Sequence, residues 1–265
     1  MKRKFFKLAL SVLFGLFMIT SSVSCKKNET NPSELNSNLI GKWNVSNDNA
    51  KYGSFEFTKD KKYIIEQRVS SLQSAPENSI LKSSSSEPNT VYIIIFGDYS
   101  TLSENGGVYN LNLGDFGLIK ITISESGASI EVNGEVFDIT KDEDIVTGNQ
   151  DKTELLCHTW RFNLPEGYFD DDFGTITFTP NGTFLIINDD GDDVTFGKWK
   201  WASTNSIEVE TKSYLESPPV GEGEEGQIIE EIDIVNLEIV KLTTTELILS
   251  NTDEEGETET QSFKR

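Results

Sequence analysis

One histidine, His158, and two cysteines, Cys25 and Cys157, bound the chemistry open to this 265-residue chain. A lone imidazole supplies at most one histidine base or metal ligand. Cys157 is its sequence neighbour, and consecutive side chains of a strand face opposite sides, which disfavours a Cys–His nucleophile pair. There is no Gly-rich phosphate loop and no zinc-ligand spacing. The 44 acidic residues offer too many combinations to single out a glycosidase-type carboxylate pair. We expect no catalysis and no cofactor. Residues 188–193, Asn-Asp-Asp-Gly-Asp-Asp, present hard oxygen ligands suited to calcium but lack the distal Glu of an EF-hand loop. They fall in an expected hairpin, where Asp and Gly are ordinary turn residues, so the sequence assigns no metal site. Trp199 and Trp201 lie two apart and share one face of a strand. They could wall a ligand cavity or platform a sugar. They could equally fill a barrel of eight strands, which is just wide enough for side chains to close it.

The charge narrows the partners. The whole chain carries a formal −21, and without its first 24 residues, which hold four positive charges and no acid, it carries −25. Nucleic-acid binding needs the opposite sign. The acidity also keeps the body of the protein off an anionic membrane and favours solubility.

The amino terminus implies attachment all the same. Lys2, Arg3, Lys4 and Lys7 precede an apolar stretch of 13 residues (8–20), then Ser21-Ser22-Val23-Ser24-Cys25. That stretch suits a secretory signal and is short of the roughly 20 residues needed to span a bilayer. The pattern resembles a bacterial lipoprotein signal. The resemblance implies cleavage before Cys25, acylation there and a place in the cell envelope as an outer-membrane lipoprotein, on either the periplasmic or the surface face. Each buried methylene of an acyl chain contributes about 0.8 kcal/mol, so two or three chains hold a protein at the membrane. Ser22 stands where such signals usually carry an aliphatic residue. Residues 25–37 are polar and read as a flexible tether.

The remainder reads as all-β. Alternation recurs in Ser54-Phe55-Glu56-Phe57, Lys120-Ile121-Thr122-Ile123, Thr175-Ile176-Thr177-Phe178 and Ser206-Ile207-Glu208-Val209. The chain also repeats itself. Leu39-Ile40-Gly41-Lys42-Trp43 matches Leu156-Cys157-His158-Thr159-Trp160, and Gly53 to Thr58 matches Gly174 to Thr179. Ile95-Phe96-Gly97-Asp98-Tyr99 matches Thr195-Phe196-Gly197-Lys198-Trp199, which puts Tyr99 beside Trp199 as a candidate ligand-binding aromatic. The spacings agree once the polar, Ser-rich residues 69–90 are treated as an insertion in the first copy. Val194 and Phe196 have the opposite parity to Trp199 and Trp201, which predicts a β-bulge at Gly197 and a counterpart at Gly97. The expected organisation is a signal (1–24), the lipidated Cys25 with its tether (25–37), a first β domain (38–142), a linker (143–153) and a second β domain (154–265). Each domain should be a small antiparallel barrel of about eight strands.

Gly41-Lys42-Trp43 on the first strand of such a unit resembles the G-x-W signature of the lipocalin family, and the whole resembles tandem lipocalin-like domains of Bacteroides-type lipoproteins. The resemblance implies structural roles for Trp43 and Trp160 at one barrel end. A basic residue of the last strand would pack on each: Lys141 in the first copy, Lys264 or Arg265 in the second. The second copy departs at His158, which replaces the Gly. The function expected is a membrane-anchored binding module, for a small hydrophobic or amphipathic ligand or another envelope component. The alternative is a structural or adhesive surface protein with filled barrels that binds protein or glycan through loops.

Overall fold

A computed structural model describes residues 38–47, 50–69, 80–83, 91–163, 174–188, 194–216, 228–253 and 256–265. Alternating apolar residues build antiparallel strands, and the strands make two consecutive barrels. The first comprises β1 (Gly41–Val45), β2 (Tyr52–Phe57), β3 (Lys62–Val69), β4 (Ile80–Ser83), β5 (Val91–Asp98), β6 (Ser100–Asn105), β7 (Val108–Asn112), β8 (Leu118–Ser124), β9 (Gly127–Val132) and β10 (Glu135–Lys141). Its sheet runs β4-β5-β3-β2-β1-β10-β9-β8-β7-β6. The second is a closed barrel of β11 (Thr159–Phe162), β12 (Thr175–Phe178), β13 (Thr183–Ile187), β14 (Val194–Trp201), β15 (Ser206–Glu216), β16 (Ile228–Leu242), β17 (Glu246–Thr252) and β18 (Thr258–Lys264).

The first sheet has ten strands where about eight were expected, for two reasons. Tyr99 alone separates β5 from β6, so these two strands are halves of one bent strand corresponding to β14. The extra strand β4 comes from the insertion and pairs with β5, while residues 70–79 and 84–90 of that insertion lie outside the described residues. A short helix, α1 (Gln150–Leu156), occupies the end of the expected linker and the start of the second unit. Its seven residues are too few to register as a period in the sequence.

Each barrel has an apolar core of its own. Phe55, Phe57, Tyr63, Ile65, Leu111, Ile121 and Ile130 lie in the first core. Trp160, Phe178, Phe184, Trp199, Ile207, Leu247 and Phe263 lie in the second. A third apolar cluster joins the two: Ile64 and Ile94 from the first barrel's outer face meet Leu185 and Phe196 from the second's.

That cluster corrects the bulge expectation. The ladders through Gly197 (Phe184↔Gly197, Gly197↔Thr211) and through Gly97 (Tyr63↔Gly97) continue without a register shift. Trp199 points inward and Phe196 outward on one regular strand, and both are buried because the outer face meets the other barrel. The glycines serve close approach instead. A Cβ on Gly197 would sit well inside contact distance of the Glu210 carbonyl oxygen, and one on Gly97 would press on the Tyr63 ring at 3.0 Å.

The internal repeat extends to individual hydrogen bonds. In the first barrel the Thr58 amide donates to the Lys62 carbonyl and the Lys62 amide to Thr58 Oγ1. In the second, the Thr179 amide donates to the Thr183 carbonyl and the Thr183 amide to Thr179 Oγ1. The turns between adopt positive φ at equivalent positions, Lys61 (59°) and Gly182 (78°). Lys61 accepts this region at a cost that glycine does not meet.

Candidate functional site

The three aromatic residues expected to meet a ligand are turned into the cores. Tyr99 is 3% exposed, its hydroxyl donates to the Thr58 carbonyl at 3.2 Å, and its ring stands edge-on to Phe57. Burial pushes the Tyr99 phenol well above its ordinary pKa. Trp199 is equally buried and donates from Nε1 to the Thr179 carbonyl at 2.9 Å. Thr58 and Thr179 are repeat equivalents, so Tyr99 and Trp199 fill one structural role twice. Trp201 donates to Thr153 Oγ1 on α1 at 2.8 Å and stands edge-on to Trp199 at 5.8 Å. Every polar atom of these rings has a partner within the protein, as buried Tyr and Trp require.

Trp43 and Trp160 repeat a second motif. Trp43 Nε1 donates to the Leu39 carbonyl and Trp160 Nε1 to the Leu156 carbonyl, each at 2.9 Å and each four residues back. Lys141 lies opposite Trp43 across β1 and β10, with its ammonium 5.4 Å from the ring centroid. This is the basic neighbour that the resemblance implies for the first copy. In the second, Lys264 pairs across the ladder with Arg161, Arg265 turns to Asp60, and the His158 ring lies edge-on to Trp160 at 6.4 Å.

The polar residues that converge lie at the seam between the barrels, and there the contacts are reciprocal. The turn after β2 sends Asp60 into the second unit, where its carboxylate accepts the Thr159 amide at 2.6 Å and contacts His158 Nδ1 at 3.0 Å. Its repeat equivalent, Asn181 in the turn after β12, accepts the Lys42 amide of the first unit at 3.2 Å through Oδ1. Asn181 Nδ2 then donates to the carbonyls of Asp142 and Asp144. Lys42 and Thr159 are themselves equivalents. Each barrel thus caps the first strand of the other, the pattern of an isologous dimer made within one chain.

At the centre of this seam Glu56 is 3% exposed. Its Oε2 accepts from Thr183 Oγ1 at 2.6 Å, and Oε1 makes no hydrogen bond. Burial raises the pKa of this carboxyl, against the pull of Lys42 and the threonine hydroxyls. Lys42 lies directly across the β1–β2 ladder and pairs with Glu66 at 3.1 Å. Burial alone would lower the Lys42 pKa, but Glu66 and Glu56 outweigh it and the ammonium is held above its usual range. For Asp60 burial likewise works toward a raised value, yet the bonds from His158 and the Thr159 amide and the charge of Arg265 hold it below.

Cys157 and His158 occupy the turn after α1, not a strand, so the alternation argument does not apply to them. They are separated all the same. Cys157 packs in the second core, where burial pushes its thiol far up and keeps it un-ionised, while His158 faces Asp60. No group of three or more His, Cys, Asp or Glu suited to a metal occurs among the described residues. A groove of about 280 Å³ is lined by Val45, Ser46, Asn47, Val136, Phe137 and Asp138. Cys25 and positions 189–193 lie outside the described residues, and no described helix is long and apolar enough to cross a membrane.

Comparison with protein families, with curated proteins and with solved structures returns no match. The seam residues Lys42, Glu56, Asp60, Asn181 and Thr183 were not anticipated from the sequence. A signal was present: Tyr63-Ile64-Ile65 and Phe184-Leu185-Ile186-Ile187 run apolar without alternation, the mark of strands covered on both faces.

Proposed function

We propose that this protein is a membrane-anchored, non-catalytic lipoprotein of the cell envelope, held by acylated Cys25, that binds other macromolecules with its outer surface. The observation that carries this reading is the fate of Tyr99, Trp199 and Trp201. Their polar atoms are satisfied within the protein and their rings pack in or against the cores, which leaves none of the three as a wall for a ligand. The groove beside Val136 and Phe137 is lined half by polar residues, Ser46, Asn47 and Asp138, unlike the predominantly apolar lining of small-molecule sites. The acidic body and the residues between Cys25 and the first barrel suit a protein that stands off the membrane and meets partners there.

Native mass spectrometry of the protein extracted from its own envelope tests the reading. We expect the mass of the acylated chain and no stoichiometric apolar ligand. A co-purified small hydrophobic molecule, displaced by filling substitutions in either barrel, would restore the interior-binding alternative. Anchoring is tested separately by Cys25→Ala, which should abolish acylation and leave the leader uncleaved, so that the chain gains the mass of residues 1–24 and lacks that of the acyl chains. An unchanged mature mass would overturn acylation at Cys25.

A further inference from the structure

The second barrel carries a hairpin that outgrows it. β15 has 11 residues and β16 has 15, whereas their counterparts β7 and β8 have 5 and 7. β15 and β16 pair with each other along the whole of β15, from Ser206↔Glu238 to Glu216↔Ile228. Their other neighbours stop early. β14 reaches β15 no further than Thr211, and β17 reaches β16 no further than Glu238. Among the described residues, positions 228–237 of β16 therefore have a partner on one side and none on the other. Ten residues at about 3.4 Å each make an open edge of about 34 Å, with every second residue offering its N–H and C=O outward. The outer edge of β15 differs, since β4 of the first barrel approaches it.

Natural sheets avoid long open edges unless something pairs with them. This edge also exposes apolar side chains: Ile232 is 50% and Ile234 57% solvent-accessible, on the same outward face. The strand holds four acidic residues, Glu230, Glu231, Asp233 and Glu238, against one lysine, Lys241. A second copy would lay this acidic strand against itself, and like charges across a ladder oppose pairing. The complement is a cationic strand with apolar residues at alternate positions.

We propose that residues 228–237 of β16 accept an extended basic polypeptide as an added strand, with main-chain hydrogen bonds for affinity and Ile232 and Ile234 as apolar contacts. This deepens the outer-surface reading above and rests on it.

The test uses the full-length protein in detergent micelles and three synthetic ten-residue probes: alternating Lys-Val, alternating Glu-Val, and the Lys-Val peptide N-methylated at every second amide. Fluorescence anisotropy should show the Lys-Val peptide binding, more weakly at high salt, with at least about tenfold weaker binding by the Glu-Val and N-methylated forms. Ile232→Asn/Ile234→Asn should weaken the Lys-Val peptide by a similar factor at unchanged thermal midpoint. Equal binding of the N-methylated peptide would reduce the effect to charge attraction and overturn strand addition. Failure of every probe would make the acidic residues guards of the edge and overturn the proposal too. Concentration-dependent dimerisation abolished by the same double substitution would assign the edge to a second copy instead. None of these outcomes changes the native mass measurement, so the outer-surface reading stands or falls on its own.

Discussion

Glu56 holds the most exacting position of any side chain in the seam. Its carboxyl sits between Lys42 and Thr183 with one oxygen unpartnered, and burial raises its pKa. For a carboxyl raised on folding, stability is greatest below the unfolded pKa, declines as pH rises through the folded value, and is level above it. Glu56→Gln should remove that decline and leave the protein as stable as wild type, or more so, at pH 7, as read from urea midpoints across pH 4 to 8. Lys42→Met is the opposite case. It leaves Glu56 and Glu66 facing each other without a cation, and we expect a loss of about 3 kcal/mol at neutral pH. Asp60 carries the reverse sign. Its pKa is lowered on folding, so its contribution is present above the unfolded value and lost as pH falls through the folded one. Asp60→Asn should cost about 1 kcal/mol at pH 7, allowing for partial exposure, and flatten the acid limb of the stability curve. Tyr109 offers a cleaner deletion. Its hydroxyl is buried in the first core without a hydrogen bond, so Tyr109→Phe should be neutral or slightly stabilising by the same urea measurement.

At the scale of the strand, glycine sets how closely neighbours approach. Gly197→Ala would force a Cβ into the β15 backbone at Glu210, and backbone cannot yield without parting the ladder. At Gly97 the obstacle is the end of the Tyr63 side chain rather than backbone, so the ladder itself need not part, although that hydroxyl donates to the Leu113 carbonyl. Gly197→Ala should therefore destabilise by about 2 kcal/mol or more and Gly97→Ala by distinctly less, as compared in parallel denaturant titrations. This contrast also shows what the sequence made legible. Alternation and the repeated segments around Trp43 and Trp160 and around Gly97 and Gly197 were enough to find the strands, the duplication and the equivalence of Tyr99 with Trp199. They misled at Gly197, because parity reports which faces are apolar and cannot report what covers them. Phe196 and Trp199 face opposite ways on a regular strand, and both are apolar because the first barrel covers the outer face. Asp60 and Asn181 occupy turns, and nothing local in the sequence shows that each reaches across to the other barrel. Capping of a distant strand is a tertiary event with no signature in spacing.

For the molecule as a whole, duplication and docking go together. The reciprocal caps, Asp60 on Thr159 and Asn181 on Lys42, and the shared cluster of Ile64, Ile94, Leu185 and Phe196 make the seam a continuation of both cores. The two barrels fall within one compact unit. A seam of this kind should make them unfold together, although each has an apolar core of its own. Deleting a buried aliphatic side chain costs about 2–5 kcal/mol when the site cannot collapse. Ile64→Ala/Leu185→Ala removes one such group from each side of the seam while leaving both barrel interiors intact. The wild-type protein should show a single calorimetric transition with van't Hoff and calorimetric enthalpies in agreement. The double variant should show two transitions, each retaining the tryptophan fluorescence change of its own barrel, Trp43 in one and Trp160, Trp199 and Trp201 in the other. A double variant that still unfolds in one step at a merely lower temperature would mean that the hydrogen-bonded caps alone couple the barrels. Adding Asp60→Ala and Asn181→Ala would then be expected to separate them.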